Sequence, residues 1–201
     1  MIACFALVKI LICLYIFAIL SKLKNLYLFI ICLQFVQDLF IIICYNSIRK
    51  QEREEEKMRI CFDMDGTIAD LYGVENWLDN LIAENVKPYA EAKPMLNLSA
   101  LARKLNKLQK QGNEIVIISW LSKCGSDEYN EKVTATKKAW LSKHLASVKF
   151  DEINIVKYGT PKSLFCKSAN DILFDDEDQN RNSWNGKAYD VNNIIETLKT
   201  I

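Results

Sequence analysis

The sequence predicts an α/β layered fold with a mostly parallel sheet, preceded by a hydrophobic helical N-terminal extension. One observation carries the first part. From Arg59 onward, short compact apolar runs alternate with segments whose apolar residues recur every three or four positions. Strands alternating with helical patterns are the signature of βαβ units, in which each crossover returns the chain to the same edge of the sheet. A second observation separates the extension: 38 of the first 48 residues are apolar, against about two-fifths of the remainder, an ordinary soluble fraction.

The elements follow in order. Arg59 to Met64 is an apolar run ending in carboxylates, as a buried parallel strand would be. Residues 75–86 put Trp77, Leu78, Leu81, Ile82 and Val86 on one face of an expected helix. Leu98, Leu101, Leu105 and Leu108 recur at steps of three and four before Gly112, a helix stop. Glu114 to Ser119 reads as a second buried strand, and Asp127 to Leu145 as a helix with Val133, Trp140, Leu141 and Leu145 inward. Ile153 to Tyr158 and Asp171 to Asp176 are the third and fourth strands. Val191 to Leu198 is a closing helix capped near Asp190 or Asn192. Three prolines and six glycines in the whole chain leave no flexible linker within residues 58–201.

The extension, residues 1–57, holds two apolar runs, Ile2 to Leu20 and Leu26 to Ile48, joined by Ser21 to Asn25. Each run approaches the roughly 20 residues that cross a bilayer core. As a hairpin of two transmembrane helices through residues 2–48, they would leave the body in the cytoplasm beside the basic Arg49, Lys50, Arg53 and Lys57. A cleavable signal peptide fits less well, because no small-residue cleavage site follows the first run. A second expectation competes. Glu54-Glu55-Glu56-Lys57 is encoded only by purine codons and stands directly before Met58, where a ribosome-binding sequence would lie, so that Met58 would be the true start and the extension an untranslated upstream segment.

Charge and cysteine content exclude several classes. Residues 1–57 carry 7 basic and 5 acidic side chains, and residues 58–201 carry 19 and 20. A weakly acidic body predicts no nucleic-acid partner. Arg103, Lys104, Lys107 and Lys110 read as the solvated face of a helix. Cys4, Cys13, Cys32, Cys44, Cys61, Cys124 and Cys166 are odd in number and form no Cys-x-x-Cys pair, which suits reduced, mostly buried thiols. His144 has no metal-like partner nearby and reads as a packing or surface residue. Trp120 and Trp184 are expected near the edge where the chemistry gathers.

The chemistry gathers at strand ends. The first strand runs into Asp63-Met64-Asp65-Gly66-Thr67, the second ends in Ser119 and the fourth in Asp175-Asp176. Carboxylates converging from separate strands repel one another, and a divalent cation relieves that repulsion. An oxygen-only donor set without histidine or cysteine favours Mg2+. Gly66 allows a sharp turn after the strand, and Thr67 can hydrogen-bond it.

In these residues the sequence resembles the haloacid dehalogenase (HAD) superfamily of phosphohydrolases and phosphotransferases, over nearly all of residues 58–201 and none of the extension. Asp63 to Ile68 resembles the first family motif, Ser119 the second and Asp175-Asp176 the fourth. Lys162, in Gly159-Thr160-Pro161-Lys162, is the choice for the third, with Lys137 or Lys138 as alternatives disfavoured by their position within a helix that needs solvated charges. The resemblance implies a Rossmann-like three-layer sandwich. It implies Asp63 as nucleophile, forming an aspartyl-phosphate, and Asp65 as general acid and base. It further implies Mg2+ on Asp63, the main-chain carbonyl of Asp65 and Asp175. Phosphate would be bound by Thr67, Ser119 and Lys162, with Asp176 orienting Lys162 or a metal-bound water and Gly66 supporting the turn.

Between Asp65 and Ser119 lie 53 residues, more than one crossover helix uses, which leaves a small helical cap at about residues 70–94. The Asp63 to Asp70 run, together with a small cap in that place, resembles 5'(3')-deoxyribonucleotidase-like members. The implied activity is Mg2+-dependent hydrolysis of a small phosphomonoester, a nucleotide first of all, with Tyr72, Trp77 and Tyr89 as aromatic groups against a base. Hydrolysis at nucleic-acid ends or of sugar phosphates is the enzyme alternative. A membrane-tethered module that binds phosphorylated ligands without turnover is the alternative from another class. The intact Asp63/Asp65 pair weighs against it, because a binding-only protein could dispense with either.

Overall fold

The computed structural model describes residues 26–55 and 57–201. The chain divides between Glu56 and Lys57 into two units. In the first, the second apolar run lies in a helix, α1 (Leu26–Glu55). Gln34, Gln37 and Asp38 interrupt it, with Gln34 Nε2 donating to Asp38 Oδ1 at 3.1 Å. Among the described residues no helix is long and apolar enough to cross a membrane. The first apolar run and the connector after it lie outside the described residues.

The second unit is built on a five-stranded, wholly parallel sheet. Its strands are β1 (Arg59–Phe62), β4 (Glu114–Trp120), β5 (Glu152–Val156), β6 (Ile172–Phe174) and β7 (Lys187–Tyr189), in the order β5-β4-β1-β6-β7. Every side chain of β1 is buried, as expected of a central strand in a parallel sheet. Alternation along the strands makes two cores. Ile60, Phe62, Ile115, Ile117, Ile172 and Phe174 face helices α4 (Leu98–Lys110), α5 (Asp127–His144) and α7 (Ile194–Thr200). Cys61, Val116, Ile118 and Leu173 face the other way and are covered by Phe165, Cys166, Ala188 and Trp184.

Because β4 and β6 flank β1, successive crossovers depart in opposite directions from the middle of the sheet. That reversal opens a crevice beyond the carboxyl ends of β1, β4 and β6. A two-stranded antiparallel stem at the same edge, β2 (Ala69–Asp70) paired with β3 (Lys93–Pro94), carries an insertion with two short helices, α2 (Trp77–Ile82) and α3 (Lys87–Glu91). The insertion packs on α5 through Leu71, Tyr89, Tyr129 and Val133, and Tyr129 Oη donates to the Asn85 carbonyl at 3.2 Å.

Several sequence expectations need correction. The helix expected over 75–86 ends at Ile82, because Glu84 takes a left-handed φ of 54° and turns its carboxylate onto Ser126, accepting from its N–H at 2.6 Å and its hydroxyl at 2.7 Å. No residue of α2 is buried, and its apolar face looks onto a cleft, not into a core. The closing helix is a 3-10 turn (Val191–Asn193) followed by α7, with Asp190 Oδ1 accepting from Asn192 N at the start. Trp184 lies away from the carboxyl edge: it is buried, and its indole N–H donates to the Asp171 carbonyl just before β6 begins. His144 needs no correction: it packs on the Trp140 ring, 4.5 Å between centroids.

Candidate active site

The turn after β1 brings two carboxyl groups to one edge. Asp63 N donates to the Phe174 carbonyl at 2.9 Å, which holds the first aspartate in sheet register with β6. The chain then reverses: Ile68 and Ala69 donate their N–H groups to the Met64 carbonyl at 3.0 and 2.8 Å, and Gly66 donates to Ala69. Gly66 sits at φ 75°, and a Cβ there would come within 2.5 Å of Asp176 Oδ2 and 2.8 Å of the Tyr72 ring. The glycine is required twice, for the left-handed backbone and for the close approach of a carboxylate.

Lysine side chains reach the edge from opposite sides. Lys162, from a 3-10 turn (Lys162–Phe165), is 1% exposed and places Nζ 2.9 Å from Asp63 Oδ1 and 2.6 Å from Asp175 Oδ2. Burial works against its charge, but the two carboxylates more than offset this and hold its pKa above the ordinary lysine value. Lys137, from the middle of α5, is fully buried and donates to Asp65 Oδ2 at 2.5 Å, Ser119 Oγ at 2.9 Å and the Trp120 carbonyl at 2.6 Å. Burial raises the pKa of Asp65, and Lys137 opposes that rise.

The third side is β6 and the turn after it. Asp175 is fully buried and accepts at Oδ1 from Glu177 N at 2.9 Å and from Asn180 Nδ2 at 3.1 Å. Burial and the charge of Asp63 push its carboxyl upward, against Lys162. Asp176 is pushed up to about 7 by burial and by Asp63 and Asp175. One oxygen from each of Asp63, Asp175 and Asp176 lies within 4.8 Å of the others. Three converging carboxyl groups are matched by one neighbouring ammonium, Lys162, and two of them resist ionisation. This oxygen-only set with negative charge in excess fits a hard divalent cation.

Every site residue expected from the sequence lies at this edge, with changes of partner. Lys162 pairs with Asp63 and Asp175 and not with Asp176, so of the two roles expected of Asp176, orienting Lys162 or a metal-bound water, the first is not seen. Asp176 accepts from the fully buried Thr67 Oγ1 at 3.4 Å. Lys138 is exposed and outside the site. Lys137 lies within it, and the supposition that a lysine within α5 must be solvated does not hold. A sequence signal existed: Val133, Lys137 and Leu141 fall at steps of four on the buried stripe of that helix. Asn180 belongs to a short helix, α6 (Asp178–Ser183), whose polar sequence carries no apolar period and so gives no sequence signal for its place at the site.

Beyond the carboxyl groups opens a cleft of about 500 Å3 between the sheet edge and the insertion. Tyr72 and Trp77, 5.0 Å apart edge to face, line one side, and Trp120 and Tyr158, also 5.0 Å apart, line another. Trp120 is held by its N–H donating to the Thr160 carbonyl at 2.8 Å, and its ring lies 5.0 Å from Lys162 Nζ. The cleft is lined mainly by aromatic and aliphatic groups, with carboxylates and a lysine at its inner end, an arrangement suited to a small ligand with an apolar body and a charged end. Compared with known proteins, the chain matches no protein-family model and no curated sequence.

Proposed function

We propose that residues 58–201 form a Mg2+-dependent phosphomonoester hydrolase of the HAD type, working through an aspartyl-phosphate. The observation that carries this reading is the different engagement of the two aspartates on one turn. Asp63 meets Lys162, which also meets Asp175, while Asp65 meets Lys137, which also meets Ser119. Asp63, with Oδ1 against Lys162, would attack phosphorus through Oδ2 as the bond to the leaving oxygen breaks. Asp65 would give that oxygen its proton, the raised pKa favouring the acid form, and would then take a proton from the water that cleaves the acyl phosphate. Lys162 and the Ser119 hydroxyl would meet phosphoryl oxygens where charge develops. A cation held by Asp63, Asp175 and the Asp65 main chain, with Asp176 beside it, would supply the remaining positive charge.

The insertion on its two-stranded stem would serve as the small cap, and the aromatic cleft supports a nucleotide-like leaving group over a bare sugar. The test is phosphate release from an aryl phosphate, with Mg2+ and with a chelator. Activity is expected only with the metal, and Asp63→Asn is expected to abolish it. Undiminished turnover by that variant would refute the assigned nucleophile. A panel of nucleoside monophosphates against sugar phosphates tests the finer claim, with the nucleotides expected to be the better substrates.

A further inference from the structure

We propose that Lys137 is a positioning residue that aims the Ser119 hydroxyl and fixes the Asp65 carboxylate, without itself touching the phosphoryl group; this rests on the reading of the site just given. An ammonium has three protons and no acceptor capacity. Lys137 has three protein acceptors at hydrogen-bond distance, on Asp65, Ser119 and Trp120. Its side chain is 0% exposed, and the Tyr89 ring lies 4.9 Å from Nζ. No proton remains for a substrate oxygen.

The same contacts dictate what Ser119 does. Its Oγ accepts from Lys137, so its own proton must point elsewhere, and among the described residues it donates to no protein acceptor. Ser119 is fully buried one residue before the end of β4; with no protein acceptor, its proton is left for the phosphoryl oxygen that the functional reading places beside Asp63 and Asp65. Asp65 is constrained alike. With Oδ2 bound to Lys137, Oδ1 is left as the oxygen that carries and returns a proton. The two buried lysines therefore divide the work: Lys162 gathers Asp63 and Asp175, and Lys137 orients the donor and the acid.

The experiment compares the full chain with Lys137→Met, Ser119→Ala and the double variant, each checked by circular dichroism. It measures kcat and KM on an aryl phosphate with Mg2+, and inhibition by inorganic phosphate. Lys137→Met is expected to lower kcat by ~10²-fold or more, the scale of losing one preorganised donor, with phosphate inhibition within about threefold of the unmodified chain. Because Lys137 acts through Ser119, the double variant is expected to stay within a few-fold of the slower single variant, as residues acting as one unit do. Phosphate inhibition weakened tenfold or more in Lys137→Met, multiplicative losses in the double variant, or unchanged kcat would each overturn the proposal. If Lys137→Met does not fold, Lys137→Gln, which keeps a neutral donor in the same room, goes through the same cycle. Absence of Mg2+-dependent phosphate release from the unmodified chain would overturn the functional reading and this proposal together; release accompanied by any of the three results above would overturn the proposal alone.

Discussion

Asp176 is the residue whose protonation most directly reports the excess of negative charge. Its carboxyl is raised from 3.8 to about 7 by burial, Asp63 and Asp175. Below pH 3.8 both the folded and unfolded forms hold the proton. Between there and about 7 the unfolded chain has released it while the fold retains it, so the metal-free protein loses stability as pH rises through that window. A cation bound to the ionised group reverses the loss by mass action. Mg2+ is therefore expected to raise Tm more at pH 8 than at pH 5.5, and an equal shift at both would count against a metal at this trio. Another residue contrast concerns the thiols. Cys61 is fully buried in β1, with its thiol pushed up to about 12 by burial, whereas Cys124 is exposed at the cleft. Since the thiolate is the nucleophile, iodoacetamide at pH 8 is expected to label Cys124 in the native protein and Cys61 only after unfolding, as read by peptide mass.

At the scale of elements, the turn between β1 and β2 and the start of α4 fail differently when altered. Gly66→Ala forces a Cβ to within 2.5 Å of Asp176 Oδ2 at a positive φ, so it is expected to cost more than about 1 kcal/mol in urea unfolding and to impair turnover. Asn97 Oδ1 caps α4 by accepting from Ala100 N at 3.0 Å. Asn97→Ala is expected to cost a similar ~1 kcal/mol with turnover unchanged, which separates a loss of stability from a loss of site geometry. Long elements were legible because each carries its own repeat: α4 reads from Leu98 to its stop at Gly112, and the β4 run from Glu114 is continuous. Short ones were not. The two-residue stem, β7 and α6 hold too few residues for any period, and they exist because the sheet and the turn at Asp175 supply their partners. Among the site residues, those at strand ends were visible, since polar groups interrupt apolar runs there. Lys137 was hidden by the rule that lysines on helices face solvent, which its acceptors on other elements override.

For the whole molecule, every group of the candidate site and both apolar cores of the sheet lie after Lys57. About 145 residues suffice for one α/β core. The first strand is also tied at its amino end. Arg59 places Nε 3.1 Å from Glu114 and Nη2 2.5 Å from Glu152, and Nη1 donates to the Phe165 carbonyl at 2.6 Å. Its backbone N–H donates to the buried Asp171. A chain beginning at Met58 keeps all of these contacts, along with the Met58 carbonyl that accepts from Glu114 N. It is therefore expected to unfold in one cooperative transition and to match the kcat/KM of the full chain within about twofold. A chain beginning at Ile60 takes the shared cation from Glu114 and Glu152, the side-chain donor from the Phe165 carbonyl and a backbone donor from Asp171 at the foot of β1. Glu114 and Glu152 are 45% and 36% exposed and are solvated once Arg59 is gone, so the loss rests on the hydrogen bonds to Asp171 and Phe165, each about 1 kcal/mol, and this shorter chain is expected to unfold several degrees below the Met58 chain. Calorimetry of the two truncations beside the full chain decides the matter: a Met58 chain without a transition would mean that residues before it belong to the fold, and a fully stable Ile60 chain would mean that the Arg59 cluster does not hold the sheet.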